Sequence, residues 1–285
     1  MNITDKNIDG GKAFDFGRTS KDYARYRDIY PQIFYDHILR RGLCRSGQRV
    51  LDLGTGTGVL PRNMARYGAR WTGTDISENQ IEQAKILSQR MNIDYLVFPA
   101  EAINFPAGTF DGITACQCFW YFDHARMAPL LSDMLKPGGY FLILCMDWLP
   151  FEDKIAGASE ELVLKYSPTW SGAGETVHPI AIPDCYREYF ELAYHEEYRL
   201  EVSFTRKSWH GRMNNTGGVD RGKLFWRKVS PGPLSKDFEQ GVGIRLPDWF
   251  TVAEVWCRVC TLAHRRSRPT VALRVRLRAN ALRSG

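Results

Sequence analysis

VLDLGTGTGVLP, Val50 to Pro61, is an apolar run that ends in an acid and then breaks into glycines at every second position. A short apolar run bounded by glycines reads as a buried strand followed by a turn. A glycine-rich turn after a strand lets backbone approach a nucleotide, because no Cβ stands in the way. A phosphate-binding P-loop requires Lys and then Ser or Thr after its last glycine. Here Gly58 is followed by Val59 and Leu60, so that reading fails. A dinucleotide loop requires G-x-G-x-x-G. Gly54 and Gly56 fit its first two positions, but the third is Val59, and no cation stands beside the loop to neutralise a pyrophosphate.

Outward from this stretch, apolar runs and amphipathic segments alternate. Arg49 to Leu53 reads as the first strand, RWTGTD ending at Asp75 as the second, and Tyr95 to Phe98 as the third. FDGITAC, ending near Cys116, is the fourth and Tyr140 to Met146 the fifth. Lys21 to Arg41 reads as two helical pieces, the second opening near Pro31 with an apolar stripe of Ile33, Phe34 and Ile38. Leu60, Met64 and Ala65 recur at helical spacing after the glycine turn. Ser77 reads as an N-cap with Gln80 completing a capping box, and Ile81, Ala84, Ile86 and Leu87 as the buried side of that helix. Met127 to Leu135 is a helix stopped by Pro137-Gly138-Gly139. Short apolar strands alternating with helices predict an α/β fold. It is a Rossmann-like, seven-stranded, mostly parallel sheet with helices on both faces, plus an inserted lid segment. Ligands of such sheets sit beyond the carboxyl ends of the strands. Asp52 to Gly58, Asp75, Ala100–Glu101 and Cys116 to Tyr121 should therefore converge.

The alternation stops after Met146. Residues 1–42 read as an N-terminal arm and cap helices, and 43–147 as the nucleotide-binding core. Residues 148–196 read as an aromatic-rich insertion around a helical piece, Ile155 to Tyr166, with a second helix over Asp184 to Ala193. Residues 197–262 return to the sheet edge, with Tyr198 to Phe204 and Phe250 to Leu262 as strands, and 263–285 form a basic tail without periodic order.

Several segments together resemble the class I S-adenosylmethionine-dependent methyltransferases. VLDLGTGTG resembles their first motif, and TGTDIS their second, with an acid 21 residues after Gly54. FPAEAINFPAGTFDGITACQC resembles the third and fourth segments of the small-molecule (type 11-like) branch, and LKPGGYFLIL the turn into strand five. DYARYRDIYP resembles that branch's N-terminal cap. The resemblance implies the cofactor S-adenosyl-L-methionine. Gly54, Thr55, Gly56 and Gly58 would pass under its methionine part, with Asp52 orienting that loop. Asp75 would accept both ribose hydroxyls, since charge-assisted hydrogen bonds are the strong ones. Ile76 would pack on the adenine and Ala100 and Glu101 would line its edge. Glu101 would substitute for the Asp that many members carry where Pro99 stands here. Cys116 and Gln117 would lie near the sulfonium, and Tyr23, Tyr26 and Arg27 would close over the site. Each has a plainer reading: Asp75 as a helix cap, the glycines as a tight turn, Arg27 as a surface ion-pair partner.

Methyl transfer is a direct displacement at the sulfonium, so the protein's part is positioning and electrostatics. An acceptor that must lose a proton needs a base, and Tyr121, His124, Asp147 and His178 are the candidates near the expected mouth. Phe119 to Phe122 and Trp148 suggest an apolar, partly flat pocket. No metal site is expected: Cys257-x-x-Cys260 lacks a second pair, and Cys116-x-Cys118 reads as packing. The expected partner is a small-molecule methyl acceptor.

No run approaches the roughly 20 apolar residues of a membrane span. The N-terminus lacks the build of a secretory signal, and seven cysteines without framework spacing read as reduced thiols of a cytoplasmic chain. The net charge of +6 is uneven: from Gly211 onward there are 15 Lys and Arg against 5 Asp and Glu, leaving 23 against 27 in the first 210 residues. The Arg-rich end reads as a divergent or out-of-frame segment with poor pairing of the last strand. Its functional alternative is an extension that binds RNA, making the acceptor RNA or protein. A module that binds the cofactor without catalysis is the alternative from another class.

Overall fold

The structure, a computed structural model, describes residues 20–26, 28–166, 180–213 and 249–264. Its centre is a seven-stranded sheet in the order β3-β2-β1-β4-β5-β7-β6. The strands are β1 (Arg49–Leu53), β2 (Arg70–Asp75), β3 (Ile93–Val97), β4 (Phe110–Cys116), β5 (Leu135–Trp148), β6 (Phe190–Thr205) and β7 (Trp249–His264). Strands β1 to β5 run parallel, and β7 is antiparallel to both β5 and β6. The seven-stranded, mostly parallel sheet with helices expected from the alternation is the one observed. The chain reverses its winding between β1 and β4, which places the switch point, and hence the cleft, beyond the carboxyl ends of these two strands.

The helices are α1 (Ser20–Tyr26), α2 (Gln32–Arg40), α3 (Val59–Met64), α4 (Glu78–Leu87), α5 (His124–Met134), α6 (Lys154–Tyr166) and α7 (Arg206–Met213). Two apolar layers cover the sheet. One joins Val50, Leu142 and Leu144 to Phe34 and Ile38 of α2 and Trp209 of α7. The other joins Leu51, Ile113 and Phe141 to Met127 and Leu131 of α5 and to Tyr186. Because residues i and i+2 of a strand share a face, each buried strand supplies both layers and is largely apolar, Asp52 of β1 and Thr114 of β4 being the buried polar exceptions in these two strands.

Four local expectations are corrected. In α2 the buried stripe is Phe34, Tyr35 and Ile38, while Ile33 is exposed. In α4 Ile81 and Ala84 are buried but Ile86 and Leu87 are exposed, since the helical period carries them off the stripe. Over Asp184 to Ala193 there is no α-helix. A 3-10 turn, Asp184–Glu188, leads directly into β6, where pairing of Phe190 with His264 and Glu191 with Ala263 outweighs local helical spacing. The poor pairing expected of the last strand is also absent. β7 pairs with β6 from Trp249 to His264 and with β5 from Val255 to Ala263. The run from Arg265 to Gly285 lies outside the described residues.

Helix α2 is tied to β6 by a polar cluster. His37 Nδ1 lies 2.9 Å from Glu196 Oε2, Arg41 donates to the same oxygen and to Tyr194 Oη, and the His37 ring stacks on Tyr198 at 4.0 Å.

Candidate active site

The glycine loop follows from backbone geometry. Gly54, Gly56 and Gly58 have φ of 58°, 56° and 75°, the left-handed region that costs an ordinary residue roughly 1–2 kcal/mol. Two of them are also crowded by protein. A Cβ on Gly54 would stand 2.9 Å from Cys118 Cβ and Sγ, and one on Gly58 would meet the Tyr95 phenol, 2.8 Å from Cζ. Their lack of a side chain is therefore explained by turn conformation and packing.

Asp52 anchors the loop from beneath. Its carboxylate is buried in β1, accepting from Thr55 Oγ1 at 2.6 Å and from Thr114 Oγ1 of neighbouring β4 at 2.6 Å. Burial pushes this acid up to about 7, with the two hydroxyls pulling the other way. Thr55 N–H donates to Thr74 O at 2.8 Å, joining the loop to the end of β2.

Asp75 closes β2 and holds the rim together. Oδ2 accepts from Gly56 N–H at 2.9 Å and Oδ1 from Ser77 N–H at 2.9 Å. Ser77 caps α4 by accepting from Gln80 N–H, as expected, but its own N–H goes to Asp75 rather than to the Gln80 side chain. Burial raises the Asp75 carboxyl above its ordinary value, opposed by the N–H groups of Ser77, Gly56 and Ile76. A carboxylate has about four lone-pair positions, and with three N–H groups on it about one remains for a hydroxyl. Beside it, the apolar side chains of Ile76 and Phe98 are 41% and 45% exposed. Phe98 N–H donates to Asp75 O at 3.0 Å, which brings these two residues to one end of the cleft.

Ala100 and Glu101 lie on a 3-10 turn after Pro99. Glu101 Oε1 accepts from Asp123 N–H at 3.0 Å, so this carboxylate buttresses the start of α5. At the end of β4, Cys116 donates to Tyr30 Oη at 3.5 Å, and burial pushes its thiol up to about 12. Gln117 has φ of 63°, a conformation rare for a side-chain-bearing residue. It is held there by its N–H on Leu144 O at 2.9 Å and by Nε2 on Met146 O at 2.6 Å. Cys118, sealing Gly54, donates to Leu53 O at 3.1 Å.

Of the candidate bases, Asp147 ends β5 and accepts from the buried Cys145 thiol at 3.1 Å. His124 opens α5 with Nδ1 3.3 Å from Tyr186 Oη, and burial pulls its imidazole below 6.5, against the pull of Asp123 and Glu101. Tyr121 and Trp120 lie exposed on the 3-10 turn after β4. Tyr26 ends α1 with its ring against Gly211 of α7. The side chain of Tyr23, and Arg27 and His178, lie outside the described residues. Among the described residues no group of three His, Cys, Asp or Glu is placed to hold a metal, and no helix is long and apolar enough to cross a membrane.

Sequence reasoning missed Tyr30, Tyr95 and Thr114, while Cys118, read as packing, does pack, against Gly54. Thr114 had a signal: a polar residue in an otherwise apolar central strand implies a buried polar partner, and Asp52 is that partner.

A doubly wound sheet with a left-handed glycine loop after β1 and an acid at the end of β2, joined to that loop, defines a nucleoside-cofactor domain. Residues 51–143 match a family model described as a methyltransferase domain. The ubiquinone biosynthesis O-methyltransferase of Bordetella pertussis is 31% identical over 127 residues, 43% of this chain and 53% of that protein. The protein of the same name from Nitrosococcus oceani is 27% identical over 179 residues, 59% of this chain and 75% of that one. The Haemonchus contortus phospholethanolamine N-methyltransferase 2, solved with phosphomonomethylethanolamine and S-adenosylhomocysteine, superposes with a TM-score of 0.52. It shares 18% identity over 88% of this chain and 58% of that one, a likeness of fold. These likenesses support a methyltransferase domain of the class I S-adenosylmethionine-dependent kind over residues 51–143. The chain spans about half the length of the first curated relatives it matches.

Proposed function

We propose that this protein transfers a methyl group from S-adenosyl-L-methionine to a small-molecule acceptor. The observation that carries the reading is the Asp75–Gly56 bond, which makes one continuous rim of the glycine loop and the acid at the end of β2. The cofactor supplies an electrophilic methyl group on a sulfonium. The chain's residues supply binding and orientation. Asp75 keeps an acceptor position for a ribose hydroxyl, and Ile76 and Phe98 offer apolar surface for a flat base. Asp52 and Thr55 keep the loop in one conformation, so little order is lost on binding. Gln117, locked against β5, sets the floor between β4 and β5.

Asp147 and His124 are the groups proposed to hold the acceptor's proton. Asp147 is fixed by Cys145, and His124, lowered by burial, is neutral near pH 7 and able to accept. Trp120 and Tyr121 give the rim aromatic faces, which suit an apolar or flat acceptor and attract a sulfonium. The O-methyltransferase names of the relatives support an oxygen acceptor. The test is incubation with methyl-labelled cofactor and a metabolite extract. The reading expects label in a small organic-soluble or aqueous product that disappears in Asp75→Asn. Label confined to RNA or protein, or none at all, overturns it.

A further inference from the structure

Helix α1 packs between α7 and α4, and just beyond it Tyr30 reaches the end of β4 at Cys116. Helix α1 therefore lies beside the carboxyl edge of the sheet where the cleft opens. Its last residue, Tyr26, rests on Gly211 of α7. A Cβ at position 211 would fall 2.5 Å from ring carbons Cγ and Cε2. No real side chain sits that close, so residue 211 is a notch that only glycine leaves open.

Both ends of this contact lead to the cleft. On one side α7 is seated on Trp148, the residue after Asp147. The Trp209 ring stands 5.4 Å from Trp148, and its Nε1 donates to Ser159 Oγ at 3.0 Å; the Arg212 guanidinium lies 3.9 Å from the Trp148 ring centre. On the other side α1 meets α4, whose cap Ser77 is bound to Asp75. A helix of seven residues has no stability of its own in water, so its seating is decided by these neighbours.

We infer that Gly211 is a positioning residue: its notch seats Tyr26, and through it α1 couples the nucleoside end of the cleft at Asp75 to the acceptor end at Asp147 and Trp148. This rests on the function proposed above. A ligand that orders α1 then also orders α7, and the coupling is reciprocal between the two ends. Cofactor binding thus prepares the acceptor side before the acceptor arrives.

The test is hydrogen exchange on the full chain with and without S-adenosylhomocysteine, alongside calorimetry. In the wild type the ligand raises protection of residues 206–213 together with 54–58. Gly211→Ala weakens the ligand by at least about fivefold and loses the ligand-dependent protection of 206–213. In a Tyr26→Ala background the same alanine has no further effect on affinity, because the ring it would strike is gone. The exchange pattern separates this from a general loss of stability, which lowers protection of 206–213 with and without the ligand alike. Protection of 54–58 without 206–213 in the wild type overturns the coupling and leaves the cofactor reading intact, and so does an equal cost of alanine in both backgrounds. If Gly211→Ala does not fold, the wild-type exchange pattern decides alone. A wild type that does not bind the ligand overturns the cofactor reading and the coupling with it.

Discussion

Replacing Asp52 by Asn should make the protein more stable at high pH, although it removes a residue bonded to the glycine loop. Asp52 is 1% exposed in the middle of the sheet, and burial pushes its carboxyl up to about 7 from an ordinary 3.8, with the Thr114 and Thr55 hydroxyls opposing. A carboxyl with a raised folded-state pKa holds its proton more tightly there than in the unfolded chain. Its stabilising contribution is complete below the unfolded value of 3.8 and is lost as pH rises through about 7. At about 1.4 kcal/mol per unit, the loss between about pH 5 and 7 is roughly 3 kcal/mol. Asparagine has the same shape, carries no charge, and both accepts and donates toward the two hydroxyls. Urea unfolding of both proteins across this range should give an advantage for Asp52→Asn that is roughly 3 kcal/mol larger at about pH 8 than at about pH 5. Asp111 and Glu196, both held below the usual carboxylate range, titrate beneath this window. His124, lowered, acts in both proteins alike, and Asp75, whose charge adds to the rise at Asp52, is relieved of that repulsion in Asp52→Asn, an effect in the same direction. Parallel pH profiles for the two proteins would refute the reasoning.

Further outcomes follow from named contacts. Gly58→Ala places an αL residue against the Tyr95 phenol and disturbs its 3.0 Å bond with Ser88, so unfolding should show a cost of about 3 kcal/mol, falling to the roughly 1–2 kcal/mol of backbone strain alone in a Tyr95→Ala background. Glu196→Gln weakens the acceptor shared by His37 and Arg41, and denaturation should show a loss of about 1–3 kcal/mol at neutral pH that shrinks under acid. Asp147→Asn should lower turnover of an identified acceptor about 100-fold or more while leaving S-adenosylhomocysteine affinity within about twofold. An affinity that falls in parallel with turnover would return Asp147 to a structural role.

Much of the fold was legible because the strands are short, buried on both faces and bounded by glycine or acid. Arg49–Leu53, Arg70–Asp75 and Phe110–Cys116 were read to the residue. The misread helix over Asp184 to Ala193 came where register with a distant strand outweighs local pattern. Phe190 and its neighbours carry helical spacing, yet β7 supplies partners for Phe190, Glu191 and Leu192 from 70 or more positions further along the chain. At the site, the acids and glycines were legible as a motif, but their partners were not. Nothing in a linear pattern shows that Tyr95 fills the space at Gly58, that Cys118 seals Gly54, or that Glu101 braces Asp123. Those contacts depend on which strands are neighbours, and the order β3-β2-β1-β4 brings residues together across the switch point.

Calorimetry with S-adenosylhomocysteine and NAD, on the wild type and on Asp75→Asn, tests the central claim most directly. Asparagine keeps an oxygen for the Gly56 N–H and loses the charge that strengthens bonds to sugar hydroxyls. The wild type should bind S-adenosylhomocysteine and not NAD, and Asp75→Asn should bind it at least about tenfold more weakly. Equal affinity in the two proteins, or binding of NAD alone, would contradict the assignment.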